Sequence, residues 1–207
     1  MEIGEMKRVF MKSAVRVVAR DGLEKATTKA IAREARLNEA YVYKCFSGKD
    51  DLLDEALHEG DACYAAVLHA SAPVLQDASL SWKERCFALW QQSWAFVLSD
   101  RDACIFYIRF YFAALGMSRV FGKHLASYQP LFEQIRPFFK PNANVEMVIH
   151  QVFCTMLFFA SRVVDGDLPD SGETTRWAFE QVYSFIVPNI RPELLGEPAA
   201  PRAQRRI

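Results

Sequence analysis

Residues 27–49 read TTKAIAREARLNEAYVYKCFSGK, and this stretch governs how the rest of the chain is understood. Thr27 and Thr28 open a short helix with Ile31 and Ala35 on one face, and a tight turn follows at Arg36-Leu37. Asn38, a favourable N-cap, then opens another helix bearing Val42 and Phe46. Two helices joined by so few residues must cross steeply, the geometry that presents the second to a DNA major groove. A helix N-terminus offers free N–H groups to phosphate, and the hydroxyls of Thr27 and Thr28 add donors beside it. Lys29, Tyr43, Lys44 and Lys49 can reach phosphates, while Glu39, Ala40 and Tyr41 stand where side chains face base edges. Each assignment has a plainer rival: Tyr43 and Phe46 as core aromatics, the three lysines as solvated charges. Core packing is the preferred reading for Phe46.

Outward from this segment the dominant signal is apolar spacing of three and four, the mark of helices with one buried stripe. Upstream, Phe10, Ala14, Val17 and Val18 share a face of a helix that Gly22 stops. Downstream, Ser47 to Asp50, Ser81 to Glu84 and Ser99 to Asp102 read as capping boxes or their aspartate variant. They predict helices from Lys49 to about Ala72, from Trp82, and from Asp102 to Leu115. Residues 118–139 are helical but interrupted at Pro130 and Pro137. A long apolar helix is expected over 145–164 and a last one over 174–186, with a disordered tail at 191–207. No strand pattern survives. The expected fold is all-α: a three-helix head at 1–50, then a larger helical body at 51–190.

Charge supports this division only mildly. The formal net charge is zero, which excludes reading the whole chain as a polycation. Residues 1–52 hold eleven Lys and Arg against eight Asp and Glu, and the remainder holds fourteen against seventeen. A basic head on an acidic body suits a DNA-contacting head. Cys45, Cys63, Cys86, Cys104 and Cys154 form no C-x-x-C pair and no disulfide framework, and a redox role for Cys45 is disfavoured. There is no G-x-S-x-G, P-loop, G-x-G-x-x-G or metal-ligand spacing, so neither an enzyme nor a cofactor or metal is expected. Glu146, His150, Gln151 and Arg162 interrupt the apolar run at 145–164, favouring a core helix over a membrane span and a cytoplasmic location.

The stretch resembles the DNA-binding domain of the TetR (tetracycline repressor) family. The likeness is carried by Thr27-Thr28-x-x-Ile31-Ala32, Ala35-x-Leu37-Asn38, Tyr43-x-x-Phe46 and Lys49-x-x-Leu52, and covers about residues 7–55. It implies phosphate contacts at Tyr43 and Lys49 and base reading at Lys29, Glu39, Ala40 and Tyr41. Two departures stand out: Arg36 where the family usually has a turn glycine, and Cys45 where it often has histidine or tyrosine. The resemblance further implies a homodimer whose last two helices pair into a four-helix bundle.

Most of the chain is not needed to touch DNA. Residues 82–128 are dense in aromatics, a composition that suits either an apolar effector cavity or an ordinary core. Trp90, Trp94, Phe106, Arg109, Phe110, Tyr128, Phe153 and Met156 are the candidate lining residues. Arg109, between aromatics in IFYIRFYF, either binds an anionic ligand group or pairs with a carboxylate, the pair being preferred. His150 is expected to be a hydrogen-bonded interior histidine. Phe158 and Phe159 widen the apolar face of the 145–164 helix, and a two-fold partner would cover it. The expected function is a ligand-responsive transcriptional regulator, a repressor, binding a palindromic double-stranded DNA operator as a homodimer and released by a small-molecule effector. The alternative is a DNA-binding adaptor governed by a protein partner.

Overall fold

The computed structural model describes residues 2–114 and 118–196. They form ten α-helices: α1 (Ile3–Asp21), α2 (Thr28–Ala35), α3 (Val42–Cys45), α4 (Lys49–Ser71), α5 (Trp82–Ser99), α6 (Arg101–Ala114), α7 (Ser118–Ser127), α8 (Gln129–Ile135), α9 (Val145–Val164) and α10 (Gly172–Ile186). Among the described residues there is no strand, only an isolated bridge between Phe139 and Ile190. The all-α architecture, a small helix-turn-helix head followed by a larger helical body, is as the sequence predicts.

α1 forms because Phe10, Ala14, Val17 and Val18 line one face, and all four are completely buried. That face packs against α2, α4 and α6, so one helix serves both head and body. Gly22 ends it at φ 88°, with its N–H bonded to the Val18 carbonyl. The end of α2 is less orthodox. Arg36 takes the left-handed conformation (φ 55°, ψ 36°) that glycine usually supplies. Its N–H bonds to Arg33 O at 3.1 Å, and the Leu37 N–H reaches Ala32 O at 3.0 Å. This is a Schellman motif, closed by packing Leu37 against the core. The turn thus survives without glycine because two hydrogen bonds and an apolar contact offset roughly 1 kcal/mol of backbone strain.

The predicted helix starts hold in part. Ser81 and Glu84 form a true capping box, with bonds of 3.3 and 2.8 Å. At α4 the box is reduced: Gly48 is the N-cap, and Asp51 rather than Asp50 reaches back to the Ser47 N–H at 2.8 Å. Ser99 is the last residue of α5, so Asp100 caps α6 instead, bonding the Ala103 N–H at 3.0 Å. Proline acts as expected in the middle region, with α7 ending at Ser127 and Pro130 in the first turn of α8. α4 ends at Ser71, close to the expected Ala72, and Pro73 lies in the first turn of a 3-10 segment over Ala72–Gln76.

A continuous core runs from Phe10 to Ile190. α9 has the length and apolar character of a membrane span, yet it packs against α5, α6 and α10 through Val148, Phe153, Met156 and Ala160. The tail expected to be disordered is ordered at its start. Arg191 bonds the Phe138 and Phe139 carbonyls at 3.0 Å each, and Pro192–Leu194 make a 3-10 turn. Residues 197–207 of that predicted tail lie outside the described residues.

The left-handed Arg36 gives a test. Arg36→Gly should raise stability by up to about 1 kcal/mol, and Arg36→Val should lower it by more than that, because a β-branched residue is poorly tolerated at positive φ. Urea unfolding of the three proteins checks the order.

Candidate nucleic-acid interface and cavity

The second helix of the helix-turn-helix is short and begins tightly. Asn38 accepts the Ala40 N–H at 2.9 Å, Glu39–Tyr41 form a 3-10 turn, and α3 adds one α-helical turn. Its two sides differ sharply. Val42, Cys45 and Phe46 are buried, while Ala40, Tyr41, Tyr43 and Lys44 face outward. Tyr43 is 60% exposed, which removes it from the core, whereas Phe46 at 3% belongs there.

Hydrogen bonds tie this turn to the start of α2. Thr27 is the N-cap of α2 and accepts the Ala30 N–H at 3.1 Å. The Thr28 hydroxyl donates to Glu39 Oε1 at 2.6 Å and lies 3.3 Å from the Tyr43 hydroxyl. Thr28, Glu39 and Tyr43 therefore form one polar cluster on the outer surface, with exposed Lys29 and Lys44 alongside. The Lys44 ammonium sits 4.8 Å over the Tyr41 ring. Lys49 is differently placed. Its half-buried ammonium donates to the Leu23 carbonyl at 2.8 Å, fastening the loop between α1 and α2 to the start of α4.

In the body, a cavity of about 110 Å³ lies among α4, α5, α7, α8, α9 and α10. Trp90, Tyr128, Phe153 and Met156 line it as expected. The other four candidates do not. Trp94 is core, stacked on Trp90 at 5.4 Å, and Phe106 and Phe110 stack on each other at 5.6 Å away from the cavity. Arg109 is turned toward α1, and no ion pair to a carboxylate is formed among the described residues. Its Nη1 donates to the Val18 and Ala19 carbonyls at 2.8 and 3.1 Å, in the last turn of α1. The reason is geometric: α6 lies along α1, and terminal carbonyls of a helix attract a cation.

Sequence reading missed a buried polar cluster beside the cavity. Asp61 on α4 is 1% exposed, and Oδ1 accepts from the Tyr107 phenol, from the Tyr128 phenol at 3.1 Å and from His124 Nδ1 at 3.0 Å. Burial, with the Asp61 charge adding to it, holds both phenols well above their ordinary pKa, so they stay protonated donors. Nearby, the Tyr111 hydroxyl is 3.1 Å from His150 Nδ1, and burial followed by neighbouring His124 keeps His150 below the usual histidine value. His150 is thus the hydrogen-bonded interior residue expected. One signal for Asp61 was available: Leu53, Leu57, Asp61, Tyr64 and Leu68 share one buried helical stripe, placing a charge among apolar neighbours.

Comparison with known proteins agrees with this geometry. A model of bacterial regulatory proteins of the tetR family matches residues 10–56. The HTH-type nicotine-responsive transcriptional repressor HdnoR of Paenarthrobacter nicotinovorans is 31% identical over 96 residues, 46% of this chain and 47% of that protein. The chain therefore matches about half the length of this relative. A TetR family transcription regulator from Marinobacter aquaeolei VT8 shares the fold with a TM-score of 0.71 at 16% identity, over 88% of this chain and 95% of that one. The transcriptional regulator FadR from Bacillus subtilis, solved in complex with stearoyl-CoA, gives 0.64 at 17% identity, over 86% and 98%.

The Arg109 clamp is directly testable. Arg109→Met keeps the stem and removes both bonds, and should lower stability by about 1 kcal/mol. Hydrogen exchange at the end of α1 should accelerate. An unchanged exchange pattern there would show that the clamp does not hold the helix end.

Proposed function

We propose that the chain, whose residues 10–56 match the model of bacterial regulatory proteins of the tetR family, is a ligand-responsive repressor of that family. It binds a palindromic operator as a homodimer, in the cytoplasm, and a small molecule entering the body releases it. The observation that carries this reading is the outward side of the short helix over 39–45, apolar beneath and polar above, beside the N-terminus of α2. Residues 1–50 act as the DNA-binding head and 51–190 as the effector and dimer body.

In this reading Glu39, Ala40, Tyr41 and Lys29 meet base edges, while Tyr43, Lys44, Thr27 and Thr28 meet phosphates. Lys49 holds the loop before α2 and lends its charge to the same backbone. Dimerisation is supported by Met147 and Phe158 on α9 and Trp177 on α10, which are 54, 60 and 49% exposed. Phe158, Phe159 and Trp177 make a continuous aromatic line across the two helices, at centroid distances of 5.3 and 4.9 Å. A second copy would cover that line and set two recognition helices one DNA turn apart.

The effector belongs in the cavity beside Trp90 and Phe153, whose volume of about 110 Å³ suits a ring-sized molecule. HdnoR is by its name responsive to nicotine, and FadR of Bacillus subtilis holds stearoyl-CoA, which supports small-molecule control here. α6 connects the two regions: Tyr107 and Tyr111 reach the polar cluster beside the cavity, and Arg109 between them grips α1. A ligand that displaces α6 would therefore move the head. By linkage, operator DNA must weaken the ligand by the factor that the ligand weakens the operator.

Two measurements decide the matter. Tyr43→Phe should weaken binding to every duplex alike, roughly tenfold, whereas Glu39→Gln should change sequence preference. A Tyr43→Phe protein with full affinity at all salt concentrations would remove that assignment. Separately, Phe158→Asp combined with Trp177→Asp should give a monomer by light scattering that no longer holds a palindrome. Retention of the dimer would place the interface elsewhere.

A further inference from the structure

A second and larger space opens beside the inner cavity, at the junction of head and body. It is a cleft of about 630 Å³ between α1 and the body helices α4, α5, α6 and α9. Half-buried Met11, Val15, Phe96 and Val97 and buried Leu157 give it an apolar lining. Charged side chains of both signs share that lining: exposed Lys12 and Arg16 on α1, exposed Glu59 on α4 and half-buried Asp102 on α6. Clefts that take small ligands run to roughly 300–1,000 Å³ and combine apolar walls with a few polar groups. The cleft meets that description, whereas the inner cavity of about 110 Å³ holds no more than a ring.

Two aromatic side chains divide the spaces. Tyr64 and Phe153 line both, with ring centroids 5.5 Å apart. The Tyr64 hydroxyl donates to Met156 Sδ at 3.5 Å, and a thioether is a weak acceptor, so exchanging that bond costs little when the ring turns. Gly60 supplies an independent sign. It stands in the interior of α4 on the cleft wall, where glycine destabilises a helix relative to alanine. Close packing does not demand it, because a Cβ there would meet Tyr107 at 4.0 Å, an ordinary contact. The missing side chain instead leaves the cleft open against the backbone of α4.

We propose that this cleft is the outer compartment of the effector site, and that the effector is an elongated amphiphile. Its apolar end passes between Tyr64 and Phe153 into the inner cavity, its stem lies between Gly60 and α1, and its polar end stays among the charged side chains of the cleft. This deepens the ligand-switch reading and rests on it. A stem in the cleft touches α1, so it binds unequally to two positions of the head, as a switch requires.

A series of ω-phenylalkanols from benzyl alcohol to 6-phenylhexanol, titrated calorimetrically into the intact chain, tests the assignment. Affinity should rise roughly threefold per methylene through the longest member, as each added carbon is buried in the cleft. Gly60→Leu and Cys63→Trp each place bulk in the cleft, the second at an exposed position. Either should abolish the gain with length while leaving benzyl alcohol unchanged, which also shows that the variant is folded. If neither variant holds benzyl alcohol, alkylation of the exposed Cys63 thiol in the unaltered chain decides. 6-Phenylhexanol should slow that alkylation and benzyl alcohol should not; equal rates overturn the proposal. Affinity that levels off after benzyl alcohol overturns it too, as does a length dependence that survives both substitutions. Operator affinity is read with each probe separately. 6-Phenylhexanol seated in the cleft without loosening the operator would leave the site standing and remove the switch. Benzyl alcohol that releases the operator while longer members gain nothing would do the reverse. If no member binds, neither space is an effector site and both readings fall.

Discussion

The packing of α1 is the constraint on which the other parts depend. Its buried stripe, Phe10, Ala14, Val17 and Val18, is shared by elements on either side of it, so the head has no closed core without the body. Arg109 adds direction to a contact that hydrophobic burial alone would leave sliding. Apolar surfaces are indifferent to small translations, but a guanidinium aimed at two carbonyls in the last turn of a helix is not. The position of the helix-turn-helix relative to α6 is therefore specified by a polar contact at the end of a greasy one.

A second polar arrangement lies deeper. Asp61 is surrounded by donors contributed by α4's neighbours: Tyr107 from α6, His124 from α7 and Tyr128 just before α8. A satisfied network of this kind fixes the relative rotation of the helices that supply it, because any slip leaves a buried group without its partner. α6 thus contributes to both polar contacts, two residues apart along the chain. The same helix therefore touches both the polar cluster and the last turn of α1.

Much of this was legible in sequence, and the reasons differ by element. The helix-turn-helix was readable because its constraints are local: Thr27 and Asn38 cap, Leu37 closes the turn, and apolar residues fall at helical spacing. α1, α9 and α10 were readable because a buried face imposes periodicity. The cavity was only half visible. Composition located an aromatic-rich region, but which aromatic faces a void and which fills the core depends on helix rotation, so Trp90 lines the space and Trp94 does not. Arg109 was misassigned for a related reason: its partners are backbone carbonyls, which have no signature in sequence. Asp61 had a signature, a charge on the apolar stripe of α4, yet three of its partners are distant in the chain and no spacing could pair them.

The brevity of the helical element over 39–45 has its own consequence. A 3-10 turn and one α-helical turn are too short to be stable alone, so their shape is imposed by Val42, Cys45 and Phe46 beneath. The residues that hold the element and those that face outward are therefore different sets. Outward positions such as Ala40, Tyr41 and Lys44 contribute little to the fold's integrity and are free to vary. If the element reads DNA as proposed, a handful of surface changes would redirect it to another sequence without altering how the chain folds.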